Sequence, residues 1–194
     1  MATTHLLYLH GFRSSPASSK ARLMAATMAS RHPDVTWLCP ALAASPKQAM
    51  AEVLQDIADW PRDSMAVVGS SLGGFYATWL AERLGCKAVL LNPVVHPARD
   101  LAAYIGDNAL WHDPAQSFYF DPTFVDALLA QEVARISRPA RYMAVIARGD
   151  EVLDWREMAG HYPGAAIKLL AAGDHALSDF EQHLDDILAF LALA

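Results

Sequence analysis

The serine at position 71 lies in the sequence GSSLG, residues 69–73, where its spacing from two glycines is typical of a nucleophile. In a G-x-S-x-G turn, a strand passes sharply into a helix and holds the serine hydroxyl above the sheet. Gly69, Gly73 and Gly74 leave room for the strand and helix backbones to cross closely. Free N–H groups at the helix N-terminus point toward whatever the serine attacks. The spacing therefore predicts Ser71 as an acyl-transfer nucleophile, provided that a strand precedes it and a helix follows.

A serine hydroxyl needs a base to take its proton and a carboxylate to orient that base. In a sheet with this turn, the order along the chain is serine, then acid, then histidine. His175 directly follows the last predicted strand, whereas His161 and His183 fall in helical segments and are expected at the surface or at helix ends. We therefore predict His175 as the base, since geometry is the first test of a base.

Three aspartates are candidates for the catalytic acid. Asp154 lies three residues before Glu157, which is the spacing of a helix N-cap partnership, so it has a structural task. Asp174 is a weaker competitor, because a residue next to the base in the chain points away from it more easily than toward it. Asp150 stands just past a predicted strand, in a loop that can reach the serine. We predict Asp150 as the acid.

An oxyanion hole would complete this arrangement. One donor is expected to be the backbone N–H of Leu72, directly after the nucleophile, and the other an N–H of the loop after the first strand. That loop contains Gly11, which allows a close approach, and the N–H of Phe12 is predicted to point inward. His10 could brace the loop, or it could be a histidine satisfied at a strand end.

Short apolar runs of strand length alternate with helical patterns along the whole chain. The predicted strands are residues 5–10, 35–40, 65–69, 87–93, 141–147 and 166–171. Strands that are apolar on both sides and alternate with helices indicate a parallel sheet covered on both faces. We predict one α/β domain over residues 1–194, with a doubly wound, mostly parallel sheet of about six strands.

Capping residues predict where the helices begin and end. Ser15, with Pro16 after it, is expected to begin a helix that runs to about residue 30. Ser45 and Gln48 form a capping-box start for a helix that is expected to end before residue 61. Ser178 is expected to cap the final helix, and Gly85 to end the helix that follows the serine.

Residues 93–140 form an insertion after the fourth predicted strand, where hydrolases of this fold carry lids. Asp121 and Pro122 are expected to open a helix to about Arg135. Six aromatic residues lie in the insertion: Tyr104, Trp111, Phe118, Tyr119, Phe120 and Phe124. They could attach the insertion to the body, or some could line an acyl pocket, since small-molecule sites are mainly apolar. Trp111, Phe118 and Tyr119 are the predicted substrate-binding residues, in a shallow pocket for short or medium acyl chains.

Composition limits the partners and the compartment. The formal net charge is −6 with no cluster of lysines or arginines, which disfavours nucleic acid and anionic membranes as partners. The N-terminal residues lack the pattern of a secretory signal, and no apolar run has the length of a membrane span. Cys39 and Cys86 show no metal-like spacing. We expect a cytoplasmic protein that acts on a small molecule.

The combined motifs resemble those of the small bacterial α/β-hydrolases of the YqiA type, which are esterase-like. The segments that carry the resemblance are HGF (10–12), SSPASSK (14–20), GSSLGGFYATWLAE (69–82), LLNPVVHP (90–97), RISRPARY (135–142), GDEVLD (149–154) and GDH (173–175). The resemblance implies an α/β-hydrolase fold, with Ser71 as nucleophile, Asp150 as acid and His175 as base, and neither a metal nor an organic cofactor. Arg13 departs from the expected pattern, since a small polar residue would follow HGF.

The expected activity is therefore that of a serine hydrolase that cleaves carboxylic esters or thioesters through an acyl-enzyme. Two alternatives remain open. The same fold could serve as a binding or interaction module without turnover, although such a module has no need of a complete set of three catalytic residues. The same residues could also cleave amides or peptides, because the triad sets the chemistry and the pocket sets the substrate.

Overall fold

Eight strands occur in the part of the chain that the computed structural model describes, residues 2–111 and 113–193. They are β1 (His5–Leu9), β2 (Thr36–Leu38), β3 (Met65–Ser70), β4 (Lys87–Leu91), β5 (Gly106–Ala109), β6 (Ser117–Phe120), β7 (Tyr142–Ala147) and β8 (Ala166–Leu170). Six of them form one sheet in the order β2-β1-β3-β4-β7-β8, and every neighbouring pair is parallel. The predicted six-stranded parallel sheet is confirmed.

The same described residues contain seven α-helices, which connect the strands, lie in the insertion or follow the last strand. They are α1 (Ser19–Arg31), α2 (Pro46–Asp56), α3 (Leu72–Leu84), α4 (Pro97–Leu101), α5 (Thr123–Leu129), α6 (Trp155–His161) and α7 (Leu184–Phe190). Side chains of α1 and α7 pack with one face of the strands in one buried cluster. Side chains of α2, α3 and α6 pack with the other face in a second cluster, to which the insertion adds Leu101, Phe120, Leu128 and Ile136. The sheet is therefore covered on both faces, as apolar parallel strands require.

The strand order reverses beside β1. The chain moves from β1 outward to β2, returns to β3 on the other side of β1, and continues away through β4, β7 and β8. In sheets of this kind, ligands bind outside the carboxyl ends of the strands at such a reversal. The residues that follow β1 and β3 there are the predicted oxyanion loop and Ser71. The topology therefore brings two chain segments far apart in sequence to one edge of the sheet.

Some helix boundaries differ from the prediction. Helix α1 begins at Ser19 and not at Pro16, because the Ser15 hydroxyl and carbonyl accept from Ala17 N and Ser18 N in a preceding turn. Helix α2 begins after Ser45, whose side chain accepts from Gln48 N as predicted. It ends at Asp56, before residue 61 as expected, although the predicted helical pattern continues to Trp60. Gly85 adopts the left-handed conformation at the end of α3, which confirms its predicted place.

The final helix is not capped by Ser178, and that prediction is wrong. The Ser178 hydroxyl and N–H both donate to the Asp174 carboxylate, which closes a turn before the helix. A short 3-10 segment, residues 180–183, then leads into α7. The Asp174 carboxylate binds the Ser178 hydroxyl, so this hydroxyl is not available to cap the helix.

The insertion contains an antiparallel hairpin, β5 with β6, that the sequence analysis did not predict. Helix α5 ends at Leu129, so the predicted helix from 121 to about 135 is shorter than expected. The β5 sequence, GDNA, lacks the apolar and β-branched residues typical of strands, so no local signal marks the hairpin. Helix α5 packs against α2 and α4 and thereby attaches the insertion to one face of the domain.

Candidate active site

Ser71 stands between β3 and α3 in a conformation that L-residues rarely adopt, with φ 56° and ψ −120°. Such a conformation costs of order 1–3 kcal/mol and persists only where the surroundings enforce it. Here the crossing of strand and helix enforces it. A Cβ on Gly69 would lie 2.1 Å from Gly73 O, and a Cβ on Gly73 would lie 2.0 Å from Leu9 O. The two glycines therefore allow the close crossing that holds the serine side chain above the sheet.

The structure brings the three predicted catalytic residues into one hydrogen-bonded chain. His175 Nε2 lies 2.9 Å from Ser71 Oγ, and His175 Nδ1 lies 2.8 Å from Asp150 Oδ2. The Ser71 and Asp150 side chains come from the carboxyl ends of β3 and β7, and His175 follows β8. An imidazole that donates from Nδ1 to a carboxylate presents Nε2 as an acceptor to the serine hydroxyl.

The Asp150 carboxylate is fully buried, and its own loop holds it in place. Its Oδ1 accepts from Val152 N and Leu153 N, each at 2.8 Å, which leaves Oδ2 to face His175. A buried carboxylate needs hydrogen bonds to offset its loss of hydration, and both oxygens have them. The His175 side chain is 20% exposed, so the solvent reaches the base but not the acid.

The competing residues have other contacts. The Asp154 side chain accepts from Arg156 N at 2.8 Å as the N-cap of α6, which confirms its predicted task. The Asp174 carboxylate is bound to Ser178. His161 ends α6 with its ring against Tyr162. His183 lies at a helix end, one of its two expected positions, between the 3-10 segment and α7, and it is only 6% exposed.

Asn92 holds the loop that carries His175, although nothing in the sequence around it predicts this role. It is fully buried after β4 and has a left-handed backbone, φ 40°, which asparagine tolerates better than most residues. Its Nδ2 donates to Asp174 O at 2.9 Å and to His175 O at 3.2 Å, while its Oδ1 accepts from Ala147 N at 2.8 Å. A single side chain thus joins the ends of β4 and β7 to the loop that carries the base.

Glu151 holds the same loop from the other side. Its Oε2 accepts from His175 N at 2.9 Å. The base is therefore held through its backbone by residues of two different loops, in addition to the hydrogen bonds of its ring. The only sequence signal for either residue is a polar side chain at the carboxyl end of a strand, which is where ligands and catalytic groups meet.

The predicted oxyanion donors lie beside the serine. Gly11 approaches so closely that a Cβ there would lie 3.1 Å from Ser71 Cβ and 3.6 Å from Ser71 Oγ. Within the described chain, neither Phe12 N nor Leu72 N donates to a protein acceptor. His10 braces this loop, since its Nε2 accepts from Leu42 N at 3.2 Å and its Nδ1 lies 3.0 Å from Gly11 O. Two N–H groups near the serine hydroxyl thus remain available for a ligand.

Two cavities open at Ser71 and His175. One, which we call the apolar cavity, has a volume of about 250 Å³ and is also lined by Val94, Leu101, Tyr104 and Leu153. The other, which we call the polar cavity, has a volume of about 380 Å³ and is lined by Tyr8, Ser14, Ser18, Ser19, Lys20, Ser70 and Glu151 among others. The two cavities thus differ in the side chains that line them: hydroxyl groups, Lys20 and Glu151 contribute to the polar cavity, whereas mostly apolar side chains, together with Arg13 and Asp100, line the apolar cavity.

The predicted substrate-binding aromatics have different positions. Trp111 lines both cavities at Ser71, although it is 69% exposed. Phe118 lines a third cavity of about 380 Å³, which contains Leu72 but not Ser71. Tyr119 is 55% exposed and lines none of these three cavities. Alternation along β6 explains the difference, because it turns Phe118 and Phe120 toward the ring of Phe12 and Tyr119 the other way.

Arg13, the departure from the expected pattern, holds the insertion in place. Its Nε donates to Ala109 O at 2.6 Å, its carbonyl accepts from Trp111 N, and its guanidinium lies 4.0 Å from the centre of the Trp111 ring. Such a cation–π contact, together with the hydrogen bonds, fastens the hairpin to the oxyanion loop. The aromatic ring of Phe12 adds contacts to Tyr104 and Phe118.

Two further classes of site are absent from residues 2–111 and 113–193. No cluster of three or more histidine, cysteine, aspartate or glutamate side chains there has an arrangement suited to a metal ion. None of the helices in those ranges combines the length and the apolar character that a membrane crossing requires.

A family model described as "Uncharacterised protein family (UPF0227)" matches residues 5–192. A UPF0227 protein of Yersinia enterocolitica is 25% identical over 193 residues, which cover 97% of this chain and 99% of that protein. A UPF0227 protein of Yersinia pestis matches with the same identity and coverage. The similarity therefore extends over nearly the whole length of both chains.

Solved structures share the fold. Alpha/beta hydrolase domain-containing protein 10 from mouse superposes with a TM-score of 0.72 at 14% identity, over 97% of this chain and 91% of that one. Est1E from Butyrivibrio proteoclasticus, with ferulic acid bound, has a TM-score of 0.72 at 14% identity, over 98% of this chain and 87% of that one. A structure reported with the metagenome-derived lipolytic enzymes LipS and LipT has a TM-score of 0.73 at 18% identity, over 98% of this chain and 94% of that one. These likenesses confirm the predicted α/β-hydrolase fold.

Proposed function

This chain belongs to the UPF0227 family, and we propose that it is a serine hydrolase that cleaves carboxylic esters or thioesters through an acyl-enzyme. The observation that carries the proposal is the continuous hydrogen-bonded chain from Ser71 Oγ through His175 to the buried Asp150. Nucleophile, base and orienting acid each have the contacts that their tasks require. The esterase and lipolytic enzymes among the structural neighbours are consistent with such an activity.

The reaction follows from the positions of these atoms. Ser71 Oγ attacks the carbonyl carbon of the ester while His175 Nε2 takes the hydroxyl proton. The new oxyanion accepts hydrogen bonds from Phe12 N and Leu72 N, which are preorganised donors. Collapse breaks the bond to the leaving alcohol or thiol, which receives the proton from His175. Water then attacks the acyl-enzyme with His175 again as the base, and free Ser71 and the carboxylic acid result.

The two alternatives make different use of the same residues. A binding module has no need of a buried acid that orients a base, and both the strained Ser71 and the buried Asp150 are costly to maintain. Amide or peptide cleavage uses the same first step and differs in the leaving group. The small-molecule ester remains the favoured substrate because the two cavities at Ser71 are small, about 250 and 380 Å³.

A reducing compartment suits the cysteines, and we include a cytoplasmic location in the proposal. Both Cys39 and Cys86 are free, and burial raises the pKa of each thiol to about 11. Thiols of that pKa are almost entirely protonated at neutral pH and are therefore unreactive. They take no part in the proposed chemistry.

Labelling with a fluorophosphonate probe tests the proposal directly. The wild-type protein should be labelled at Ser71, as located by mass spectrometry, and the Ser71→Ala variant should not be labelled at all. The heat-denatured wild-type protein serves as the control, because only an activated serine reacts. A folded wild-type protein that remains unlabelled would show that Ser71 is not activated and would favour the binding module.

The apolar cavity sets an expectation for the acyl group. Its volume of about 250 Å³ suits short or medium acyl chains. In a series of p-nitrophenyl esters, kcat/KM is expected to be highest between the butyrate and the octanoate and to fall for longer chains. Efficient turnover of the palmitate together with no turnover of the butyrate would contradict this expectation.

A further inference from the structure

The polar cavity contains hydrogen-bond donors that the proposed reaction does not use. The first turn of α1 contributes Ser18, Ser19 and Lys20, and the strands and loops contribute Tyr8, Ser14 and Ser70. Ser18 stands at the N-cap of α1 without a side-chain capping bond, and the first turn of that 13-residue helix contains no acidic residue. The positive end of the helix dipole is therefore unneutralised where α1 meets the cavity.

The buried hydroxyl of Tyr8 is a second, independent reason to expect a ligand in this cavity. The residue is completely buried on β1, and its hydroxyl has no partner with hydrogen-bond geometry among the described residues. Burial raises the pKa of the phenol, an effect that the neighbouring Ser70 side chain only partly offsets, so the hydroxyl keeps its proton. Buried polar groups are nearly always satisfied. Tyr8 is one of the residues that line the polar cavity, and its hydroxyl keeps a proton that it can donate.

Lys20 supplies a positive charge at the same wall. Its ammonium group donates to the carbonyl of Ala176, beside the catalytic histidine, and has two further N–H donors. Burial lowers the pKa of Lys20, and the charge of Asp174 acts in the opposite direction. The nearby carboxylates have other partners, since Glu151 accepts from His175 N and Asp174 from Ser178. The cavity thus combines one ammonium group and several neutral donors with one carboxylate, that of Glu151, whose Oε2 already accepts from His175 N.

We propose that the polar cavity binds an anionic group of the substrate, a carboxylate or a phosphate, close to the bond that Ser71 attacks. Charge-assisted hydrogen bonds from an ammonium group and from a helix N-terminus favour such a group over a neutral one. The apolar cavity on the other side of Ser71 then receives the apolar part of the substrate. This inference rests on the proposed function for its position in the reaction, and it narrows the substrates to esters or thioesters that carry an acidic group.

Two esters that differ by one methyl group, and therefore by one negative charge, test the inference. Monomethyl glutarate carries one free carboxylate, whereas dimethyl glutarate is neutral. The wild-type protein is expected to prefer the monoanion by about tenfold in kcat/KM, which corresponds to about 1.4 kcal/mol. In Lys20→Met this preference should disappear while turnover of the dimethyl ester persists. Lys47→Met, which removes an exposed lysine on α2, should retain the preference.

Two results would overturn the inference. A wild-type preference for the neutral ester would show that the cavity does not accept an anion. An equal loss for both esters in Lys20→Met would show that Lys20 only positions the histidine loop through Ala176. If Lys20 only positioned the loop, its loss would lower kcat/KM for both esters and leave the ratio of the two values unchanged.

A binding measurement separates this inference from the proposed function. Isothermal titration calorimetry on the Ser71→Ala variant, with glutarate and with inorganic phosphate as ligands, requires no turnover. The anion that binds with the lower Kd identifies the acidic group as a carboxylate or a phosphate. Adding Tyr8→Phe or Lys20→Met is expected to weaken binding by about tenfold, and Tyr8→Phe should leave the fold intact because its hydroxyl has no protein partner among the described residues. Absence of binding for both anions would overturn the subsite. Binding together with no fluorophosphonate labelling would overturn the proposed function alone.

Discussion

The Asp150→Asn variant is expected to lose ester hydrolysis by about 10⁴-fold in kcat while it remains folded. The carbonyl oxygen of the introduced side-chain amide can still accept from Val152 N and Leu153 N, as Asp150 Oδ1 does. The NH₂ group of that amide then faces His175 Nδ1 and donates to it. This forces the ring proton onto Nε2, so that the imidazole can no longer accept the proton of Ser71. Steady-state kinetics with p-nitrophenyl butyrate measure the loss.

A matched substitution four residues away provides the control. Asp154→Asn keeps a good N-cap for α6, because asparagine caps helices as well as aspartate does, and its activity should remain near that of the wild type. Circular dichroism and thermal melting of both variants show whether they are folded. If Asp150→Asn retained activity within tenfold of the wild type, another carboxylate would have to orient the base.

The second large effect concerns the fold. Gly73→Ala is expected to destabilise the protein by more than about 4 kcal/mol, which lies at the severe end for single substitutions. A Cβ at this position would lie 2.0 Å from Leu9 O and 2.7 Å from His10 O. Both contacts are backbone atoms, which cannot rotate away as a side chain can. The strand and the helix would have to separate, and this would also displace Ser71.

Thermal unfolding checks this expectation. For a domain of this size, the melting temperature should fall by more than about 8 °C. Gly160→Ala is the control, because a Cβ on Gly160 in α6 meets nothing within 4 Å and alanine favours helix. It should be neutral or slightly stabilising. A Gly73→Ala variant that melted like the wild type would show that the backbones around Ser71 do not cross as closely as the structure indicates.

Local signals account for the parts of the fold that the sequence predicted well. Runs of apolar residues indicated the six parallel strands, and single capping residues such as Ser45, Gly85 and Asp154 marked helix ends at which the structure shows caps. Each signal depends on neighbours within about four residues. Where a nearby group competes, the same reasoning fails, as at Ser178, whose hydroxyl bonds to Asp174 instead of capping a helix.

Apart from those among Ser71, Asp150 and His175, the contacts between distant parts of the chain could not be predicted from the sequence. Asn92 bonds to residues that lie 55 and 82 positions further along the chain, and no property of its neighbours indicates this. The direction of Tyr119 depends on the hairpin of β5 and β6, in which β5 has no strand pattern. The donors of the polar cavity come from β1, β3 and α1, and only the packing of these elements makes them neighbours.

The sequence by itself determined the chemistry that is possible, because the residue types, their order along the chain and the glycines around Ser71 are local properties. It also determined the parallel sheet, since strands that are apolar on both sides must be covered on both faces. Only the tertiary structure decided the distances of 2.8 and 2.9 Å that join Asp150, His175 and Ser71. It also decided which cavities adjoin them, because these depend on how loops separated by many residues pack above one edge of the sheet.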